Sequence, residues 1–298
     1  MKPKRFGFTI VELLTVIAII AMLIGVLIPT LTMIKNKAKI TQQQAHFNTI
    51  EMAIMAFKND FGDYPPSATP SGRLSEYTGA QLLTEALVGW DLMGFHPDSD
   101  WLPNGFDSFG IDIYQSTIGG PNDTNLEQRK GPYLELSKAN VFKARSSTPG
   151  TGEALYGPPP AGISLAMDTY VLCDVFAVKK ILVRDETKKA GTPILYYKAN
   201  TSSKTIQGNF HSDKIYNALD NWDLIAEYPI LGREDPAEYH PLGNPDPGRA
   251  CDFFYEYITD KNIPQTVRPW PYRADSYLLI SAGPDGEYGT ADDVTNFK

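Results

Sequence analysis

The chain has 298 residues, 42% hydrophobic and 21% charged, so it holds enough apolar material to bury a core. Its formal charge of −8 is unevenly spread: Lys2, Lys4, Arg5, Lys35, Lys37 and Lys39 face Glu12 alone in residues 1–41, which leaves the remainder strongly acidic. Such a body excludes nucleic acid as a partner, because phosphate recognition needs a basic face.

The first element is an apolar run behind a basic stub. Phe6-Gly7-Phe8-Thr9-Ile10-Val11-Glu12-Leu13-Leu14 leads into residues 13–28, which carry no charge and only Thr15 and Gly25 as residues that are not plainly apolar. Residues 8–31 are long enough to span a bilayer, which takes about 20 apolar residues. A cleavable secretory signal would end in a small-x-small site, and Pro29-Thr30-Leu31-Thr32-Met33-Ile34-Lys35 offers none. Three basic residues lie on each side of the run, so the positive-inside count does not orient it. Glu12 costs about 3 kcal/mol if placed deep in a membrane and therefore needs a partner or a function. A plain anchor explains the length, but neither Gly-Phe-Thr at the entrance nor a glutamate four residues after the phenylalanine.

This arrangement resembles the type IV pilin and type II secretion pseudopilin family. Gly7, Phe8 and Glu12 fill the family's cleavage-site glycine, new N-terminal phenylalanine and following glutamate, and Pro29 matches the proline that ends its membrane segment. The resemblance implies that residues 1–7 are a leader that stays cytoplasmic. A prepilin peptidase would cut between Gly7 and Phe8, and the new terminus would be N-methylated. Residues 8–31 would form a membrane-spanning and later filament-core helix. Glu12 would serve assembly by pairing with the Phe8 amine of a neighbouring subunit.

Beyond Pro29 the helix is expected to continue. Phe47, Ile50, Ile54, Phe57 and Phe61 recur at steps of three and four, which places them on one helical face. Residues 32–62 thus read as an amphipathic continuation, stopped by Gly62 and Asp63-Tyr64-Pro65-Pro66. A helix over 9–59 would be about 75 Å long. Ala56-Phe57, Asp60, Gly62, Tyr64 and Pro65 also resemble the end of this helix in major pseudopilins.

Residues 63–298 form the globular body. Turn formers crowd residues 66–165, including Gly119-Gly120-Pro121-Asn122-Asp123 and Pro158-Pro159-Pro160, with helical or apolar pieces at 80–90 and 133–141. This stretch and residues 200–270 read as loop-rich, surface-elaborating insertions relative to the shorter major pseudopilins. Strands are predicted over 170–178, 193–199 and 276–280 from their β-branched and aromatic content. His46, His96, His211 and His240 are scattered without metal-ligand spacing, and no GxSxG, GxxxxGK[ST] or GxGxxG motif occurs. No enzymatic activity is expected.

Two features of the body carry site predictions. Cys173 and Cys251 form an even count that an oxidising compartment would allow to pair. The alternative is a buried apolar Cys173 with Cys251 unpaired. Near the C-terminus, Gly283-Pro284-Asp285-Gly286-Glu287-Tyr288-Gly289-Thr290-Ala291-Asp292-Asp293 brings carboxylates into a glycine-rich turn. Hard oxygen ligands on a flexible loop suit Ca²⁺, and a solvated acidic hairpin is the plainer reading. The loop resembles the calcium loop of the major type II secretion pseudopilin, which implies ligation by Asp285, Asp292 and Asp293.

The expected fold is therefore α+β: a long N-terminal helix packed on a small antiparallel sheet, with large loop-rich insertions. The resemblance implies a structural subunit of the bacterial inner membrane, single-pass with a periplasmic body. It would polymerise with itself into a periplasmic pseudopilus, alongside other pseudopilins and an inner-membrane assembly platform. Two alternatives are a pilus or minor pilin subunit with a ligand-binding insertion, and an anchored domain that never polymerises.

Overall fold

The structure is a computed structural model that describes residues 9–69, 77–115, 120–148, 151–157, 166–183, 185–207, 213–227, 230–232, 240–243, 247–264 and 268–298, without the side chains of Pro29 and residues 247–251. The fold is α+β, a long N-terminal helix plus small sheets. Helix α1 (Ile10–Phe61) runs through Pro29, two residues longer at its C-terminal end than the predicted 9–59. The chain divides into two units, residues 1–42 and 43–298.

In the first unit every described side chain from Ile10 to Lys39 is exposed, apolar and polar alike. Leu23, for example, is 65% exposed. Threonines compensate for their weak helix propensity by donating back to the helix, as Thr30 Oγ1 does to the Val26 carbonyl at 2.8 Å.

The second unit contains the body and residues 43–61 of α1. The predicted stripe is the buried face: Phe47, Ile50, Ile54 and Phe57 are covered. Phe57 meets Phe95 edge-on at 5.3 Å and Tyr133 at 5.9 Å, and Phe95 stacks on Trp101 at 4.8 Å. On a second face, Glu51 Oε1 accepts from Arg273 Nη1 at 2.7 Å and from Asn296 Nδ2 at 2.9 Å. Together these contacts dock the lower helix on residues from the middle and the C-terminal end of the chain.

Three sheets replace the single one expected. β1 (Val141–Arg145) lies between β2 (Ala154–Tyr156), to which it is parallel, and β3 (Tyr170–Leu172), to which it is antiparallel. β4 (Lys179–Val183) and β5 (Glu186–Ala190) form a hairpin. β6 (Leu195–Lys198), β7 (Tyr277–Ser281) and β8 (Val294–Thr295) form an antiparallel sheet with Leu195 opposite Ile280 and Ser281 opposite Val294. Inward residues of all three sheets share one core, among them Phe142, Val171, Ile181, Leu195, Tyr197, Leu278 and Ile280.

The predicted strand 170–178 breaks after Leu172 because Asp174 turns inward. Its carboxylate accepts from the backbone of Phe176 (3.0 Å) and Thr192 (3.2 Å) and from the hydroxyls of Thr192 (2.7 Å) and Ser281 (2.9 Å). Those side-chain bonds replace a ladder. The β5 segment is too polar to signal a strand by alternation: only Ala190 of its five residues is buried.

The expectation that residues 66–165 elaborate the surface needs correction. Within them α2 (Gly79–Val88) has all ten residues buried, and it packs against β3 and β6. Gly79 permits this, since a Cβ there would lie 2.3 Å from the Tyr196 carbonyl oxygen. Residues 200–270 likewise contribute α4 (Pro247–Tyr257), whose Phe254 and Tyr255 enter the core.

Candidate functional site

Two segments carry the predicted site residues. At the N-terminus, Gly7 and Phe8 lie outside the described residues. Glu12 sits in the first turn of α1. Its Oε2 accepts from the Thr9 backbone N–H at 2.9 Å and the Thr9 hydroxyl at 2.8 Å, while the Glu12 N–H donates to Thr9 Oγ1 at 3.2 Å. This is a reciprocal capping box, in which the N-cap hydroxyl and the third helical residue each satisfy the other's free N–H. The Thr9-x-x-Glu12 spacing announces it in the sequence, yet the expectation above treats Glu12 only as an intersubunit partner. Within one subunit the carboxylate already has local donors. A neighbour's amine would have to compete with them or join them.

The second segment is the connection between β7 and β8. Gly283 has φ +68, and a Cβ there would lie 2.3 Å from the Asp292 carbonyl oxygen, so the two ends of the loop cross at backbone contact. Asp285 Oδ1 accepts from the Glu287 N–H at 2.8 Å, and the Asp285 N–H donates to Asp292 Oδ2 at 3.2 Å. Thr290 Oγ1 donates to Asp292 Oδ1 at 2.5 Å. The Asp285 carboxyl is raised above the usual carboxylate range, first by burial and further by the carboxylate of Asp292 beside it.

Asp293 is held differently. Its Oδ2 accepts from the Tyr257 hydroxyl at 2.5 Å and from the Gly289 N–H at 2.8 Å, while its Oδ1 is buried without a hydrogen-bond partner. Burial pushes this carboxyl up to about 6, against the lowering effect of Tyr257. The fold therefore brings Asp285 and Asp292 side by side and ties Asp293 to α4. Among the described residues no three Asp, Glu, His or Cys side chains converge as a metal cluster. Two abutting carboxylates and one orphaned carboxylate oxygen are what a hard cation would satisfy.

Residues that sequence reasoning missed also shape this loop. Tyr257 comes from α4, and His240 accepts the Tyr288 N–H on Nδ1 at 3.2 Å, with the two rings 4.7 Å apart. No local pattern ties either to residues 283–293. Only the contacts of His240 and Tyr257 with the loop reveal them.

Cys173 is a free thiol, fully buried in the core. The expected bridge is thus not formed here, and the side chain of Cys251 lies outside the described residues. Burial raises the Cys173 thiol well above its usual range, which leaves it inert as a nucleophile.

Residues 2–28 match the family described as "Prokaryotic N-terminal methylation motif", the prepilin signal of type IV pilin-like proteins. The match covers the basic stub, the cleavage-site residues and the apolar part of α1. The motif indicates a type IV pilin-like precursor, implies processing by prepilin peptidase and, with the apolar helix, points to membrane anchoring. That helix is long and apolar enough to cross a bilayer. No curated protein and no solved structure matches the chain.

Proposed function

We propose that the chain is a structural, non-enzymatic pseudopilin subunit of type II secretion. It is cut between Gly7 and Phe8, methylated on Phe8, held in the inner membrane with its body in the periplasm, and polymerised into a periplasmic pseudopilus with other pseudopilins on an inner-membrane platform. One observation carries the reading: the methylation motif leads directly into a helix whose first half is apolar and exposed, while its last turns are docked on a body. Each large apolar side chain left in water forfeits about 1.5–3 kcal/mol relative to burial. The exposed half is therefore built for lipid and then for the helix bundle of a filament.

Mass spectrometry of membrane-extracted protein is expected to find methylated Phe8 as the N-terminus, and intact Met1 in cells with an active peptidase overturns the processing step. Deletion is expected to abolish protein secretion. Loss of adhesion or motility with secretion intact favours the pilus-subunit alternative. Glu12→Ala is expected to leave cleavage and insertion intact and to slow assembly. Unchanged polymerisation removes Glu12 from that role.

We also propose that the β7–β8 loop takes Ca²⁺ as a structural ion, with Asp285 and Asp292 as carboxylate ligands and Asp293 available through its free Oδ1. The abutting carboxylates support this. Bound Ca²⁺ would supply neutralising charge. Full-length protein in detergent is expected to melt higher in calcium than in chelator, since ligand at about 100 times its dissociation constant adds about 2.7 kcal/mol. Asp292→Ala should remove most of the difference. Equal melting temperatures, with no calcium uptake by calorimetry, reduce the loop to an acidic turn.

A further inference from the structure

Residues 97–112 hold four aspartates and no lysine or arginine. Their own hydrogen bonds fix the loop. Phe106 pairs with Asp112 in an antiparallel bridge, and the Asp107 N–H donates to the Ile111 carbonyl at 2.9 Å. Asp107 Oδ1 accepts from the N–H groups of Phe109 (2.9 Å) and Ile111 (2.7 Å), and Asp100 Oδ2 accepts from the Ser108 N–H at 2.7 Å. The tip that these bonds hold carries Phe109, 88% exposed, and Ile111, 61% exposed. Among the described residues Phe109 is the most exposed large apolar side chain, ahead even of those in the apolar half of α1. A phenyl ring held in water on an already ordered loop gains by burial and loses little entropy on docking, which suits it to enter another surface.

The same body carries a counterpart. A hollow of about 330 Å³ is lined by the apolar groups of Ala154, Tyr156 and Met167 and by the charged side chains of Arg145, Glu153 and Lys179. Met167 is itself 49% exposed. Arg145 and Lys179 against Glu153 leave the hollow one charge positive, although Lys179 also donates to the Leu155 carbonyl. Lys143 and Asp168, on the flanking strand and turn, neutralise each other at 3.1 Å. Strand β4 is tied to the lip by the Leu182 N–H, which donates to the Gly152 carbonyl at 2.8 Å. The β4–β5 hairpin adds exposed Lys180, Lys188 and Lys189 against Asp185 and Glu186. Lys180 stands directly opposite Lys189, a like-charge pair that destabilises a sheet and that an acidic neighbour relieves.

We propose that a second copy of this chain fills the hollow. Its Phe109–Ile111 tip packs against Met167 and Tyr156, and its Asp100 and Asp107 face Arg145, Lys179 and the hairpin lysines. The apolar tip is then the core of the contact and the opposite charges its rim. Nucleic acid and anionic bilayers fit the tip poorly, since its aspartates repel phosphate. The proposal rests on the self-assembly in the function proposed above and adds a contact between bodies to the contact between helices.

The test is sedimentation of full-length protein in detergent. Wild-type protein is expected to self-associate, and more weakly as salt screens the rim charges. Phe109→Ser removes the tip, and Met167→Asp puts a charge in the hollow. Each should weaken association at least about tenfold. Both side chains are exposed, so the thermal melt of the body should not move. A mixture of the two variants should recover association, because one keeps the hollow and the other keeps the tip. A non-specific apolar contact would not show that recovery. Association undiminished in both variants, or a mixture no more associated than its parts, overturns the body contact and leaves polymerisation through the helices standing. No association of wild-type protein at about 100 μM overturns it as well, while the mass of the Phe8 terminus still decides the processing step.

Discussion

The upper half of α1 and the whole of α2 are both dominated by apolar helix formers, and their environments are opposite. Every described side chain over residues 10–39 of α1 is exposed, including Ile10, Leu14, Leu23 and Ile28, whereas α2 buries all ten of its residues, including Gln81, Thr84 and Glu85. The difference lies in hydrogen-bond provision rather than in hydrophobicity. Gln81 accepts from the Thr78 N–H at 2.9 Å and donates to Thr169 Oγ1 at 2.6 Å. Thr84 Oγ1 accepts from the Leu172 N–H at 3.0 Å. Glu85 collects the hydroxyls of Ser99 (2.6 Å), Tyr77 (2.7 Å) and Tyr114 (3.0 Å). A helix that carries Gln, Thr and Glu can be a core helix when those polar groups are met, and an apolar stretch stays exposed when its own unit offers it no face.

The largest effect is expected from equivalent truncations in the two helices. Leu83→Ala in α2 removes a fully buried side chain and should cost the body about 2–5 kcal/mol. Leu23→Ala in α1 should leave the thermal transition of the body unchanged, because nothing in the subunit covers it. Matching losses in the two variants, measured by thermal melting in detergent, would break the comparison.

A second effect follows from the acids buried in the body. Burial pushes Asp174 and Asp220 up to about 7 and Asp293 up to about 6. In the unfolded chain these groups titrate near about 3.9. Between those values the folded state holds more protons than the unfolded one, so stability falls as pH rises from about 4 through about 7. His46, lowered by burial, contributes in the other direction below its unfolded value of about 6.5. Asp285 and Glu85, also raised by burial, act in the same direction as the three aspartates and against His46. The melting temperature in chelator should drop by several degrees from pH 4.5 to 8, and Asp174→Asn should flatten the slope. A melting temperature that climbs through the whole window contradicts this.

A smaller effect is expected at the start of α1. Thr9→Ala removes the N-cap hydroxyl and should cost the first turn about 1 kcal/mol. Faster amide exchange confined to the first helical turn, with an unchanged melt of the body, would mark the loss as local. Unchanged exchange would show that the Glu12–Thr9 box does not hold the turn.

Much of the N-terminal region was legible because its physics is local. Chain-neighbour spacing alone places the Phe47, Ile50, Ile54 and Phe57 stripe, and Gly7, Phe8 and Glu12 stand at fixed positions along the chain. The body was legible only in fragments. Predicted strands at 193–199 and 276–280 exist as β6 and β7, but β1 with β2, the β4–β5 hairpin and the closing β8 were not anticipated. Their partners are set by contacts across the chain, and β5 in particular lacks apolar alternation.

The sequence by itself determined that a helix with a charge-free stretch over residues 13–28 follows the Gly7-Phe8 motif, continues as an amphipathic helix and stops before Gly62, since helix periodicity and capping act over three or four residues. It also put the carboxylates of Asp285, Asp292 and Asp293 in one loop. Tertiary structure alone decided that Asp285 and Asp292 abut while Asp293 is drawn to Tyr257, that Cys173 is sealed in the core, that α2 is interior, and that Asp220 is buried against Ser67. Those outcomes depend on which distant segments supply donors and volume, and a distance of many residues along the chain carries no periodic signal from which to read them.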